Sequence, residues 1–210
     1  TPLAGLRAKL ELAVAQQRDA AWHHQAAGEA QAIVLQMQRM VETLLQLARA
    51  DAGQLPLERE HVNLAELLRD CWQTVAQRAH ARQLDVEWRL ADLEPILTDR
   101  AKLRVVVQNL LDNAASYADA GSRVVIATAR RNHMWTLEIT NAASDLAGEH
   151  LTHIFERFWR ADPSCRDGDA HCGLGLPLCK ALSEGLGGTI AAAFSADALM
   201  SVTIQCPMPI

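Results

Sequence analysis

Apolar residues between Leu103 and Ala114 repeat with the period of an α-helix. Side chains three and four positions apart share one helix face, and an apolar face of this kind packs against a core. Asn109, Asn113 and Tyr117 recur every four residues and therefore share a second face. Asparagine is a poor helix former, because its amide competes for backbone hydrogen bonds. Two asparagines one turn apart are either solvated or packing residues, or their amide oxygens hold a hydrated cation such as Mg²⁺ beside phosphates.

Two segments near the start of the chain carry heptad-like repeats. The polar stretch 18–28 between them predicts a turn, so residues 1–53 are expected to form an antiparallel helical hairpin. Such a hairpin either forms a four-helix bundle in a homodimer, through residues 1–50, or packs on its own neighbouring domain. His23 and His24 fall in the predicted turn and are interpreted as surface residues. The repeats consist of Leu3, Leu6, Leu10 and Ala13, then Ile33, Met37, Met40, Leu44 and Leu47.

Beyond a linker at residues 54–59, marked by Gly53 and Pro56, helical and strand periods are mixed. The pattern predicts an α+β fold, in which residues 60–210 form an α/β sandwich with helices on one face of a sheet. Asn63 and either Thr98 or Asp99 are the expected helix caps. The predicted strands are 84–90, 94–97, 124–129, 135–140, 190–194 and 200–206, and the predicted helices begin after Asn63, after Asp99 and at Gly173.

The bulk composition narrows the range of functions. The chain has 210 residues and a net charge of −5, which argues against a general nucleic-acid surface. Five cysteines without a Cys-x-x-Cys pair argue against a disulfide framework and favour a reducing compartment. Cys165, His171 and Cys172 lie close together, but their spacing matches no standard zinc pattern. No apolar run approaches transmembrane length, and the chain is expected to be a fragment because it opens inside a helical pattern.

Two short motifs are suited to phosphate binding. Gly173 and Gly175 precede a predicted helix, where backbone N–H groups can approach an anion. A dinucleotide fingerprint would need a third glycine in place of Leu178. Arg157 and Arg160 are expected on a short helix anchored by neighbouring aromatic residues, with Arg160 reaching a phosphate and Arg157 structural. The polar stretch 161–172 between the two motifs is either a mobile lid or an inert surface loop.

Three motifs taken in order resemble the N, F and G2 boxes of two-component sensor histidine kinases. They are Asn-Leu-Leu-Asp-Asn-Ala at 109–114, Phe-Glu-Arg-Phe-Trp-Arg at 155–160, and Gly-Leu-Gly-Leu at 173–176. Thr1-Pro-Leu also resembles the end of the H box, and the resemblance covers nearly the whole chain. It implies a Bergerat-type fold that binds ATP and Mg²⁺, a response-regulator partner, and the cytoplasmic portion of an inner-membrane bacterial sensor. The phosphoryl-accepting histidine would lie just upstream of Thr1, so the chain as given is not expected to phosphorylate itself.

The resemblance also implies individual roles. Thr1 would assist phosphatase chemistry, Asn109 and Arg160 would act in catalysis, and Asn113 would bind the metal. The residues implied to contact the nucleotide are Asn109, Asn113, Ser116, Tyr117, Asn141, Phe158, Arg160, Gly173, Leu174, Gly175 and Leu176.

The sequence departs from the family at the G1 box, where Asn141-Ala-Ala-Ser-Asp145 lacks both glycines and the adenine-binding aspartate. An amide oxygen accepts the same hydrogen bond, at a loss of ~1 kcal/mol, or roughly fivefold in affinity. Ser116 replaces a basic residue, and the G3 glycines are missing near 197–199.

Three hypotheses follow from these departures. The first is a working kinase, and the second is a degenerate kinase that acts as a dimeric scaffold or phosphatase. The third is an ATPase or ATP-driven clamp. The third is disfavoured by the N-terminal heptads and by the lack of a water-activating acid before Asn109.

Overall fold

The computed structural model describes residues 2–16, 18–144, 146, 148–161 and 172–208. Two N-terminal helices are followed by a mixture of helices and strands. The helices are α1 (Pro2–Ala15), α2 (Ala20–Asp51), α3 (Leu64–Ala81), α4 (Arg100–Tyr117) and α5 (Gly175–Gly185), with a 3-10 helix at Gly148–Thr152. The strands are β1 (Arg59–Val62), β2 (Asp85–Leu90), β3 (Ile96–Asp99), β4 (Arg123–Arg131), β5 (Met134–Ala142), β6 (Thr189–Phe194) and β7 (Leu199–Pro207).

A five-stranded sheet in the order β2-β4-β5-β7-β6 supports the second half of the chain. The β2–β4 pair is parallel and the other pairs are antiparallel. On β5 the alternate residues Trp135, Leu137 and Ile139 are all buried, as their spacing predicts. They pair with Cys206, Ile204 and Val202 on β7, which fixes the register. The predicted strands at the end of the chain are confirmed and each is slightly longer.

Helix α4 lies between α3 and α5 and packs on the central strand β5. Its predicted apolar stripe is confirmed, because every member is buried in the core. That stripe consists of Leu103, Val106, Val107, Leu110, Leu111 and Ala114. The polar face of the helix, with Asn109, Asn113 and Tyr117, is therefore not used for packing against the core.

Asp99 is the cap of α4, and the short strand before it is β3, two residues later than predicted. The carboxylate accepts hydrogen bonds from the backbone N–H groups of Lys102, at 2.9 Å, and Glu58, at 3.0 Å. Lys102 Nζ lies 2.5 Å from the same carboxylate. Burial alone would raise the pKa of Asp99, but these contacts outweigh it and the pKa is lowered. The start of α4 is therefore held by a charged cap.

The turn between α1 and α2 is shorter than predicted. α2 begins at Ala20, because Asp19 caps it by accepting a hydrogen bond from Trp22 N at 2.8 Å. His23 and His24 therefore lie in the first turn of α2 rather than in a loop, although both are exposed as predicted. Lys9 on α1 pairs with Glu29 on α2, which aligns the two helices. No helix in the described part of the chain is both long enough and apolar enough to cross a membrane.

The C-terminal half of α2 contacts the sheet-containing part of the molecule. Leu47 is 1% exposed and belongs to the same core as α4 and α5. Asp51 accepts a hydrogen bond from Arg157 Nη2 at 2.6 Å. Gln36 Nε2 also lies 3.8 Å from Cys172 Sγ. This half of α2 consequently forms part of the boundary of the site described below.

Candidate functional site

A cavity of about 1010 Å³ opens between α2, α4, the start of α5 and the segment that follows β5. One side is formed by α4, and we call Val105, Asn109, Asn113 and Tyr117 the α4 wall. The opposite side is formed by α2, and we call Arg39, Met40, Thr43 and Gln46 the α2 wall. The cavity is completed by Asn141, Ala143, Leu146, Ile154, Trp159, Arg160, Ala161, Met200, residues 172–178, and also Glu42, Arg104, Gln108 and Asp112.

The amide of Asn109 is held between α4 and α5. Its Nδ2 donates a hydrogen bond to Val105 O at 2.8 Å, within its own helix. A β-carbon added at Gly175 would lie 2.8 Å from Asn109 Oδ1, closer than a side chain normally tolerates. Glycine at position 175 therefore allows the Asn109 oxygen to lie directly against the first residue of α5. An amide oxygen and a helix N-terminus consequently meet at one place.

Helix α5 begins at Gly175 rather than at the predicted Gly173. Gly173 has a φ of 67°, which the helix cannot continue, and an added β-carbon would lie 2.6 Å from Trp159 O. The residue that caps α5 is Leu174, whose side chain makes no capping hydrogen bond. The backbone N–H groups of the first turn are therefore suited to an external acceptor such as a phosphate.

Asn141 also lines the cavity and is 7% exposed. It continues the buried face of β5, two residues beyond Ile139, so the same alternation that builds the core turns it inward. Its Nδ2 donates to Ala142 O at 3.0 Å. The amide oxygen is thereby left as the acceptor that Asn141 offers to a ligand. The surrounding apolar residues suit a flat ring, and they are Ala143, Leu146, Ile154, Leu178 and Met200.

A family model matches residues 98–210, the part of the chain from the end of β3 through α4 to the end of the sheet. The model describes the histidine kinase-, DNA gyrase B- and HSP90-like ATPases. This chain belongs to that ATPase family. The matched region includes α4, α5 and strands β4 to β7, and the cavity lies largely within it.

The chain is also similar to sensor histidine kinases. The chain is 30% identical to the signal transduction histidine-protein kinase BaeS of Escherichia coli K12 over 208 residues, 99% of this chain and 44% of BaeS. It therefore spans less than half the length of that relative. The histidine kinase AdeS of Acinetobacter baumannii superposes with a TM-score of 0.81 at 23% identity, over 100% of this chain and 96% of AdeS. The histidine kinase ThkA, solved in complex with the response regulator protein TrrA, superposes with a TM-score of 0.73 at 16% identity, over 100% of this chain and 58% of ThkA.

Most residues that the sequence suggested for this HATPase site line the one cavity. Asn109, Asn113 and Tyr117 contribute from α4, Asn141 from β5 and Arg160 from the segment before residue 162. Residues 173–176 contribute from the start of α5. The sequence-based set is thus brought together by elements far apart in the chain.

The segment 153–160 differs from its prediction. No helix carries Arg157 and Arg160: the 3-10 helix at Gly148–Thr152 ends before them, and the described residues 153–160 form turns, a bend and irregular chain. Phe158 has a φ of 66°, and its N–H donates to Gly173 O at 2.8 Å. Its side chain is 57% exposed and does not line the cavity, so Phe158 does not anchor the segment, whereas the other two predicted anchors, Phe155 and Trp159, do pack against the core. Trp159 lines the cavity instead.

The two arginines of this segment face different partners. Arg160 lines the cavity, as its predicted phosphate contact requires. Arg157 pairs with Asp51 at the end of α2, in keeping with a structural residue. The segment therefore contributes one cation to the cavity and one to its attachment on α2.

Ser116 is not among the residues that line the cavity. Its hydroxyl accepts a hydrogen bond from Arg78 Nη1 at 2.9 Å. Asp112 pairs with the same Arg78 and also lines the cavity. Gln108 donates to Thr74 on α3 at 2.5 Å.

Sequence reasoning missed the α2 wall. The periodicity of α2 predicts an apolar seam, but which residues meet the cavity depends on how α2 contacts α5, a long-range arrangement with no local signal. Thr1, Asp145, Cys165 and His171, and with them nearly all of the predicted lid, lie outside the described residues. Among the residues that the structure does describe, no group of three or more His, Cys, Asp or Glu side chains could hold a metal ion.

Three of the four cysteines that the structure describes, Cys71, Cys179 and Cys206, are buried in the core, and Cys172 is half-buried beside the cavity. Cys71, Cys172, Cys179 and Cys206 are all unbridged. Burial raises the pKa of the Cys206 thiol to about 12 and also raises that of Cys179. These two thiols are therefore neutral packing groups at physiological pH.

Proposed function

We propose that this chain is the kinase core of a two-component sensor histidine kinase. It binds ATP with Mg²⁺ and passes the γ-phosphoryl group to a histidine upstream of Thr1. A receiver-domain aspartate of a response regulator then takes the group. The observation that carries the proposal is the contact between Asn109 on α4 and Gly175 at the uncapped start of α5. It joins amide oxygens, which suit a hydrated Mg²⁺, to backbone donors, which suit phosphate oxygens.

The two ends of the cavity suit the two ends of a nucleotide. The apolar end with the Asn141 oxygen would take adenine, whose amino group is a donor. The other end would take the phosphates, between Asn113, Arg160 and the first turn of α5. Asn113 would hold the Mg²⁺, which when bound neutralises phosphate charge. Phosphoryl transfer needs mainly positioning of the reacting groups and neutralisation of their charge, and these residues would supply both.

The N-terminal helices would supply dimerisation and regulator docking. We infer that residues 1–53 form the antiparallel hairpin of a homodimeric four-helix bundle, 54–59 a linker and 60–210 the catalytic domain. Support comes from apolar side chains that α1 and α2 leave exposed, and from the ThkA–TrrA complex as an example of a kinase with its regulator. The exposed apolar residues are Leu3, Leu10, Leu12, Val14, Val34, Leu35, Val41 and Leu45.

A second function, a nucleotide-poor scaffold or phosphatase, is favoured by one observation. The stretch after β5 lacks the glycines of the family's G1 box, and Asn141 offers a neutral acceptor in place of a carboxylate. In this function Thr1 would assist regulator dephosphorylation.

Phosphoryl transfer in the full-length protein separates the two functions. If the chain is a kinase, ATP labelled in the γ-phosphate should transfer its label to the protein. The bond to the label should be acid-labile, as in phosphohistidine. Asn113→Ala should abolish the label, while Gln77→Ala, an exposed amide on α3, should leave it unchanged. A wild-type protein that takes up no label, yet removes phosphate from a phosphorylated regulator, would contradict the kinase reading and support the phosphatase.

A further inference from the structure

Arg78 on α3 reaches across to α4 and contacts two residues one turn apart. Its Nη1 donates to Asp112 Oδ1 at 3.0 Å and to Ser116 Oγ at 2.9 Å. Ser116 and Asp112 together fix the guanidinium along the edge of α4. Both contacts use the same nitrogen, so the other guanidinium N–H groups keep the capacity to donate.

The Asp112 carboxylate lies in an unfavourable place for a nucleotide site. It lines the cavity and directly precedes Asn113, on the helix that supplies the phosphate end. A carboxylate repels phosphate oxygens, and the repulsion is strong wherever water is partly excluded. The side chains of Arg78 and Asp112 are 37% and 36% exposed. An ion pair this exposed contributes little to folding stability, so its main effect is on the charge that the cavity presents.

We propose that Arg78 is a positioning residue of the nucleotide site, which cancels the charge of Asp112 and so relieves the repulsion between Asp112 and the phosphates. Ser116 then serves to hold Arg78 rather than to touch the ligand. The inference rests on the proposed function, because it requires that the cavity takes a nucleotide with several phosphates. It predicts that the effect of Arg78 grows with the number of phosphates and disappears when Asp112 is neutralised.

The test is a calorimetric titration with adenosine, ADP and ATP in the presence of Mg²⁺, at low and high salt. Arg78→Met should weaken ATP binding about fivefold, ADP less and adenosine not at all, with a smaller loss at high salt. Asp112→Asn should bind ATP at least as well as wild type. The double variant should recover to within about twofold of wild type.

Two further variants separate charge from packing. Arg78→Lys keeps the charge and should restore most of the affinity that Arg78→Met loses. Arg69→Met removes an exposed arginine from the same helix and should change nothing. Thermal unfolding of each variant checks that the fold is intact.

Three results would overturn the inference. Arg78→Met could bind ATP as wild type does, it could lose adenosine binding as strongly as ATP binding, or the double variant could stay as weak as Arg78→Met. A wild-type chain that binds no ATP would instead refute the proposed function, and this inference with it. The two failures are therefore distinguishable.

Discussion

The α4 wall and the α2 wall bound the same cavity but are held in different ways. α4 has a charged cap at Asp99 and a continuous buried stripe beneath its polar face. α2 contacts the same core through one buried residue, Leu47, and through the partly buried Met40 and Leu44, and it is also attached by the exposed pair of Asp51 with Arg157. A wall with its own core contacts is rigid, whereas a wall attached at few points can move at low cost. We therefore expect α4 to hold the ligand-binding side chains in place and α2 to be the more easily displaced side of the cavity.

The largest effect should come from removing a buried side chain beneath the α4 wall. Leu111 is fully buried, so Leu111→Ala should lower the free energy of unfolding by about 2–5 kcal/mol and weaken nucleotide binding as well. Leu47→Ala should instead release α2 while the sheet stays protected. Hydrogen exchange resolved by segment checks the contrast, and loss of protection in α4 on Leu47→Ala would contradict it.

The charged cap of α4 should matter next. Asp99→Ala should cost about 1–2 kcal/mol at neutral pH, because it removes the bonds to Lys102 and Glu58. Since folding lowers the pKa of Asp99, its contribution is present above the ordinary carboxyl pKa of 3.8 and is lost as pH falls through the folded pKa. Urea denaturation between pH 7 and pH 2.5 measures this, with exposed Asp92→Ala as control. An equal cost of Asp99→Ala at both extremes would refute the charge argument.

Gly175 tests the junction of the α4 wall with α5. A methyl group there meets Asn109 Oδ1, the end of a side chain that can move, so Gly175→Ala should fold normally. The displaced Asn109 should cost roughly tenfold in ATP affinity, or about 1.4 kcal/mol. Gly28→Ala, in open space on α2, is the matched control and should stabilise its helix by about 0.5–1 kcal/mol without changing affinity. Unchanged ATP affinity in Gly175→Ala would show that Asn109 does not contribute to nucleotide binding.

The smallest effect should come from the ion pair that attaches α2. Asp51 and Arg157 have side chains 56% and 44% exposed, so Asp51→Asn should cost less than about 1 kcal/mol. ATP affinity should change less than twofold, while exchange in the C-terminal half of α2 becomes faster. A large loss of affinity would show that α2 is part of the binding site rather than its movable boundary.

The sequence predicted α4 well because a buried stripe, an aspartate cap and a polar face are all local signals. The β4–β5 pair could be predicted for the same reason, and the alternation of buried and exposed residues along β5 also accounts for the burial of Asn141. Asp19 is also a local cap signal, but it was overlooked, which placed the first turn too late. The conformation of the segment 153–160 could not be predicted from the sequence. Its conformation depends on the hydrogen bond from Phe158 to Gly173, which joins residues whose proximity only the folded chain establishes.

The central claim is that the α4 wall and the start of α5 form one magnesium–nucleotide site. Calorimetric titration of this chain with ADP and ATP, each with and without Mg²⁺, tests it most directly. The account predicts saturable binding that Mg²⁺ strengthens and that Asn113→Ala removes. Absence of binding at millimolar nucleotide would contradict it. Such a result would mean that the missing glycines of the G1 box, after Asn141, weaken binding more than the α4 wall and the start of α5 can compensate.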